Sequence, residues 1–237
     1  MRPLILALQF MTRLPQPSVP ADGRDMAAAI RWFPVAGLLV GACVAGGAWL
    51  GLQRDPWAGA LLALLAWVGM TGALHLDGLG DIADAAGAGH ADASRISKVL
   101  ADPHIGSFGV TAIVLQLLSK LVLLRLVIET TSLTALVAVP MIARAAPLSW
   151  ARTLPPLHAG LGTKFRAGAS VTALAGWWLA IVMVALALAP ALLAALPGMV
   201  LWRWWLLRRI GGISGDGHGA GIELVETVTL AALVFVP

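Results

Sequence analysis

The stretch His75-Leu76-Asp77-Gly78-Leu79-Gly80-Asp81-Ile82-Ala83-Asp84 carries three carboxylates directly after a long apolar run. If a helix continues through it, Asp77, Asp81 and Asp84 stand at i, i+4 and i+7 and share one stripe. Carboxylates stacked on one face repel each other unless a cation lies between them. An oxygen-only ligand set of this kind suits a hard divalent ion, Mg²⁺ first. A solvated helix end is the alternative, but it does not require all three to face one way. In a regular helix His75 points off the stripe, and His90, His158 and His218 lack the spacing of zinc ligands.

A second acidic group lies near the C-terminus. Asp216 sits in the glycine-rich stretch Gly211 to Gly221, and Glu223 and Glu226 open the helix that follows. Glycines such as Gly215 and Gly219 would let backbone N–H groups approach an anion, and a helix N-terminus adds a favourable dipole. A flexible loop followed by acids that offset the dipole would read the same way. The segment Asp102-Pro103-His104-Ile105-Gly106-Ser107-Phe108-Gly109 leads into a helix that Ser107 could cap, with Asp102 and His104 free to face a substrate. Arg144 lies inside an apolar run and needs an anionic partner, a phosphate or an acidic cluster, unless it snorkels. Lys120 poses the same question. Arg203, among Trp202, Trp204 and Trp205, reads as part of an aromatic interfacial belt.

Together these groups describe one class of reaction. A divalent metal holds a diphosphate, an alcohol attacks one phosphorus in line, and a nucleoside monophosphate leaves while a carboxylate accepts the alcohol proton. The residues alone reach a membrane-embedded, metal-dependent phosphotransferase of unnamed substrates.

The elements that must position these groups are membrane helices. Of 237 residues, 59% are hydrophobic and only 12% charged, against about a quarter charged in a soluble domain; the mean hydropathy is +0.87. The expected fold is an all-α, polytopic membrane bundle forming one domain over residues 1–237, with seven transmembrane helices (six as the alternative) and an N-terminal interfacial helix. The expected spans are Trp32 to Leu52, Pro56 to Leu76, Phe108 to Ile128, Leu133 to Trp150, Ser170 to Ala189, Leu192 to Leu207 and Ile222 to the C-terminus. Polar loops run from Ala85 to Ser107 and from Ala151 to Gly168, and Leu4 to Met11 forms a helix at the interface or tucked into the bundle. With the N-terminus in the cytoplasm, nearly all basic residues (Arg13, Arg24, Arg31, Arg95, Lys98, Arg152, Lys164, Arg166, Arg208 and Arg209 among them) fall on the cytoplasmic side, and little beyond Arg54 and Arg125 opposes them. This puts the chemistry at the cytoplasmic face of the membrane. The single Cys43 excludes a disulfide framework, and no nucleic-acid motif is present. Gly- and Ala-rich spans would allow close packing, including a homo-oligomer.

At these residues the sequence resembles the cobalamin synthase family, the adenosylcobinamide-GDP ribazoletransferases, over nearly its whole length. The resemblance is carried by Leu8-Gln9-Phe10-Met11-Thr12-Arg13-Leu14-Pro15, by Trp32 to Gly41, by His75 to Asp84, by Asp102 with Gly106 and Gly109, and by Gly215-Asp216 through Gly219-Ala220 to Glu223 and Glu226. It departs at Ala101, Pro103, His104 and Ser214. The resemblance implies a Mg²⁺-dependent enzyme of the bacterial or archaeal cytoplasmic membrane. It would join adenosylcobinamide-GDP to α-ribazole or its 5′-phosphate and release GMP, beside other corrinoid-assembly enzymes. It further implies Asp77, Asp81, Asp84, Asp216 and Glu223 as metal ligands, with Asp81 the candidate base. Arg13, Asp102, His104, Arg144, Gly215, Gly219 and Glu226 would lie toward substrate. A lipid synthase of the CDP-alcohol phosphotransferase type and an ion or solute transporter are the alternatives. The first has a longer motif with Gly and Arg between its aspartates, and the second would place its acids at the midplane.

Overall fold

The computed structural model describes residues 1–20, 22–88, 96, 99–100, 102–130, 132–157 and 161–236. His90, Arg95, Lys98, Ala101 and His158, which entered the sequence reading, lie outside them. The elements of the described residues are helices: α1 (Arg2–Met11), α2 (Gly23–Ala29), α3 (Phe33–Leu52), α4 (Pro56–Thr71), α5 (Leu74–Ala88), α6 (Ser107–Thr130), α7 (Leu133–Thr153), α8 (Leu161–Gly168), α9 (Val171–Leu188), α10 (Ala195–Arg209) and α11 (Gly215–Phe235). Short 3₁₀ turns at Ile30–Trp32 and Pro190–Ala194 lead into α3 and α10. Six helices are long and apolar enough to cross a membrane, and α4 with α5 makes a seventh span if the bent pair counts as one. Six of the seven expected spans are thus single helices, the second is broken between α4 and α5, and a short helix, α8, lies in the segment read as the second polar loop.

Local chemistry sets where these helices begin. Asp55 accepts from the Trp57 and Ala58 N–H groups ahead of Pro56, and Ser132, Ser170 and Ser214 cap α7, α9 and α11. Pro197 falls in the first turn of α10, where its missing N–H breaks no helical bond. α7 is the central post, buried along most of its length despite Pro140 and Pro147. α3 packs on it through Gly37 and Gly41. A Cβ at either would fall 2.4 Å from the Pro140 oxygen or 2.3 Å from the Val137 oxygen. On its other face Gly47 and Gly51 meet α4 as closely. Pairs of small residues four apart let membrane helices touch backbone to backbone.

The span expected from Pro56 to Leu76 is not straight. α4 ends at Thr71, Gly72 and Ala73 both take the left-handed conformation (φ 61° and 60°), and α5 leaves at 84° to α4. The acidic stretch is thus a separate helix, turned out of line with the span that delivers it. The Arg13 N–H donates to the Met70 carbonyl at 2.8 Å, so the segment after α1 is fastened to this break.

α11 also differs from expectation. It starts at Gly215 and not at Ile222, so most of the glycine-rich stretch is helix and only Gly211 to Ser214 is loop. Gly219 and Gly221 serve contact. A Cβ on Gly221 would meet the Trp202 and Trp150 rings at 2.4 and 2.5 Å, and one on Gly219 would meet the His75 Cα at 3.3 Å. The Trp202 indole N–H donates to the Gly217 carbonyl at 3.0 Å.

Candidate functional site

α5 keeps Asp77, Asp81 and Asp84 on one continuous helix, and hence on one stripe. Asp77 is exposed, while Asp81 and Asp84 are half-buried. α5 lies against the first turns of α11 so closely that a Cβ on Gly78 would come within 2.9 Å of the Asp216 backbone. Glycine at 78 is therefore what admits Asp216 to the aspartate helix. Asp81 sits in the field of Asp216, Asp77 and Asp84 together. Ser214, the cap of α11, also reaches the Asp216 carboxylate at 3.2 Å.

Asp84 has a second task. Its two oxygens accept from the Gly106 and Gly109 N–H groups at 2.7 and 2.9 Å, at the entry of α6. A Cβ at Gly106 or Gly109 would strike the same carboxylate at 2.5 or 2.4 Å. The start of α6 is thus capped from another helix by a charged acceptor, a favourable place for negative charge. Ser107, expected as the cap, is instead its first residue.

Glu223 and Glu226 do not join the aspartates. The Lys120 ammonium lies 2.6 Å from Glu223 and 2.5 Å from Glu226, and the Arg144 guanidinium 2.7 Å from the other Glu226 oxygen. Gln116 Nε2 is 2.8 Å from the Glu223 carboxylate, His75 Nδ1 is 3.3 Å from Arg144, and Lys120 stands over the Trp67 ring. All these side chains are buried. Two cations and two anions from α6, α7 and α11 cancel inside the bundle, which is the form in which ionised groups persist there. Glu223, expected at the metal, pairs here with Lys120, and Glu226 and Arg144, expected toward substrate, pair with each other. This also answers the question of Lys120: its partner is acidic.

The remaining expected residues are dispersed. Asp102 and His104 pair with each other at 2.8 Å on the exposed surface, and that hydrogen bond holds the Asp102 carboxyl below its ordinary value. Gly215 opens α11 with open space around it. The Arg13 side chain is exposed and lies over Gly72, where a Cβ would be 2.1 Å from its Nε.

Beside Asp77 and Asp216 is a cavity of about 250 Å³ that the sequence reading missed. Phe10, Phe33 and Phe165 wall it, brought from α1, α3 and α8 into mutual contact with ring centroids 5.4–5.7 Å apart. His75 and His218 also line it. His218 is buried, stacks on Trp150 at 6.2 Å, and has no hydrogen-bond partner at either ring nitrogen. Three single phenylalanines far apart in the chain carry no local signal that could have announced this.

Among the described residues no three carboxylates, imidazoles or thiols converge closely enough to enclose an ion. The chemistry of the aspartate set nonetheless fits one. The donors are oxygen only, and Asp216, Asp77 and Asp84 all act on Asp81.

The family model described as cobalamin-5-phosphate synthase matches residues 3–234. Similar curated proteins are adenosylcobinamide-GDP ribazoletransferases. That of Novosphingobium aromaticivorans is 55% identical over 98% of this chain and 96% of its own length. That of Thiobacillus denitrificans is 48% identical over 97% and 94%, and that of Laribacter hongkongensis 51% over 99% and 97%. No solved structure matches.

Proposed function

The chain belongs to the cobalamin-5-phosphate synthase family, and we propose that α5 and the first turn of α11 hold the site at which it works. Its activity is that of an adenosylcobinamide-GDP ribazoletransferase, an enzyme of nucleotide-loop assembly in cobalamin biosynthesis and a multi-pass membrane protein. The observation that carries the site is the close approach of Asp216 to the stripe of Asp77, Asp81 and Asp84, made possible by Gly78.

Asp77, Asp81 and Asp216 would hold Mg²⁺, whose charge, when bound, offsets that of the diphosphate. Asp84 fixes the start of α6 beside them. A ribose hydroxyl of α-ribazole, or of its 5′-phosphate, attacks the phosphorus that carries the cobinamide. The bond from that phosphorus to the bridging oxygen breaks, and GMP leaves with that oxygen. Asp81, half-buried between the other two aspartates of its stripe, takes the hydroxyl proton. Arg13, exposed at the α4–α5 break, would meet phosphate. The site faces the cytoplasm, and the enzyme resides in the cytoplasmic membrane.

The test is turnover by detergent-purified protein given adenosylcobinamide-GDP and α-ribazole 5′-phosphate, with Mg²⁺ or EDTA, following GMP and the corrinoid together. Both products should form in equal amount, vanish with EDTA, and fall about a hundredfold or more in Asp81→Asn. Full activity in EDTA would remove the metal, and full activity of the variant would remove Asp81 as base.

A further inference from the structure

We propose that the phenylalanine-walled cavity beside Asp77 and Asp216 receives the planar base of the acceptor nucleoside and thereby selects a benzimidazole-type lower ligand. The inference rests on the reaction assigned above, because it asks which part of which substrate the cavity takes.

Size is the first argument. At about 250 Å³ the cavity suits one fused bicyclic ring and its sugar linkage, and a corrin macrocycle does not fit. Chemistry is the second. Both the guanine of the donor and the base of the acceptor are flat bicycles, but their edges differ. Guanine presents donors and acceptors around its rim, and a site that bound it would have to pair them. Here much of the lining is carbon, from Phe10, Met11, Phe33, Leu74, Phe165 and Ile222. A dimethylbenzimidazole has a hydrocarbon rim and one ring nitrogen free to accept a hydrogen bond. His218 lines the cavity, is buried, and lacks a partner at both nitrogens. His75 Nε2, on the same lining, also lacks a partner, so either imidazole could give the base the one donor it needs and gain a partner in return.

Position is the third argument. The aromatic walls and the aspartates border the same space. A base held among the phenylalanines therefore puts its attached ribose at Asp77 and Asp216, the side from which the hydroxyl must attack. The donor's corrinoid and guanosine then lie outside the cavity.

The test compares two Michaelis constants in the full-length protein. In Phe165→Ala the KM for α-ribazole should rise about tenfold, while that for adenosylcobinamide-GDP stays within about twofold. Phe165→Trp should recover much of the loss. Because Phe165 is buried, a second arm uses unaltered protein: free 5,6-dimethylbenzimidazole should compete with α-ribazole and should not compete with the donor. A third arm needs no turnover at all, equilibrium dialysis of labelled α-ribazole against wild type and Phe165→Ala, with weaker retention expected in the variant. A rise confined to the donor's KM, competition of the free base with the donor alone, or equal retention of α-ribazole by both proteins would each overturn the assignment. Wild-type protein that retains α-ribazole through Phe165 yet forms no GMP would leave the cavity assignment standing and remove the reaction assigned to it.

Discussion

Lys120, Arg144, Glu223 and Glu226 are ionised side chains drawn from three helices, and their formal charges cancel. Removing one partner leaves an uncompensated charge where water does not reach, which costs more than the pair itself contributes. Lys120→Met should therefore lower stability by about 3 kcal/mol or more, read as a lower melting temperature in detergent. Adding Glu223→Gln restores neutrality and keeps an acceptor for Gln116, so the double variant should regain most of the loss. Its turnover bears on function as well. Retained activity assigns Glu223 to structure, whereas loss of activity with a recovered melting temperature would return it to the metal site. From the sequence each of these residues could be seen to need a partner, but not which one. The pairs span 106 residues between Lys120 and Glu226 and 82 between Arg144 and Glu226, and no local spacing encodes a contact that only packing creates. Asp77, Asp81 and Asp84 were legible because their relation is local: the helical repeat alone aligns them.

At the scale of elements, apolar runs of about 20 residues located the spans, because length and hydropathy are properties of a contiguous segment. The α4–α5 break was not legible for the same reason. The apolar pattern runs on through Leu76, and the turn is made by two left-handed residues, one of them Ala73. The helix of glycines at the start of α11 was read as a loop because glycine weakens helices in isolation, whereas here it lets His75 and Trp202 come close. The break yields a prediction. Gly72→Ala forces a side chain into the left-handed region, at about 1–2 kcal/mol, and its Cβ would also fall on the Arg13 side chain. The melting temperature should drop accordingly. In an Arg13→Ala background the steric part disappears and the conformational part remains, so the two variants together separate them. An unchanged melting temperature in both would mean that the left-handed turn at Gly72 is not what holds α5 at its angle.

The whole molecule is polarised from end to end. Arg31 and Arg152 both donate to the backbone around Gly168 and Ala169, at 2.6 and 3.2 Å, and the Trp177 indole donates to the Arg31 carbonyl, so the ends of α7 and α8 and the starts of α3 and α9 are knitted together by basic residues. Arg125 pairs with Glu129 and packs over Trp57, at the far ends of α6 and α4. Excess Lys and Arg mark the cytoplasmic side of a membrane protein, and the aspartates of α5 lie toward the entry of α6, away from that far end. The site should therefore open to the cytoplasm, where nucleotide-activated substrates are made. Single-cysteine labelling reads this directly. Cys43 is replaced by Ala, and His104→Cys, Arg166→Cys and Arg54→Cys are made one at a time, each at an exposed position. A membrane-impermeant maleimide should label the first two only in inverted vesicles and the third only in intact spheroplasts. The opposite pattern would turn the molecule over and place the aspartates on the outer face. Labelling of His104→Cys and Arg54→Cys from the same side would instead put an even number of crossings between these positions, so that the bent pair α4–α5 enters and leaves the membrane on one face without traversing it.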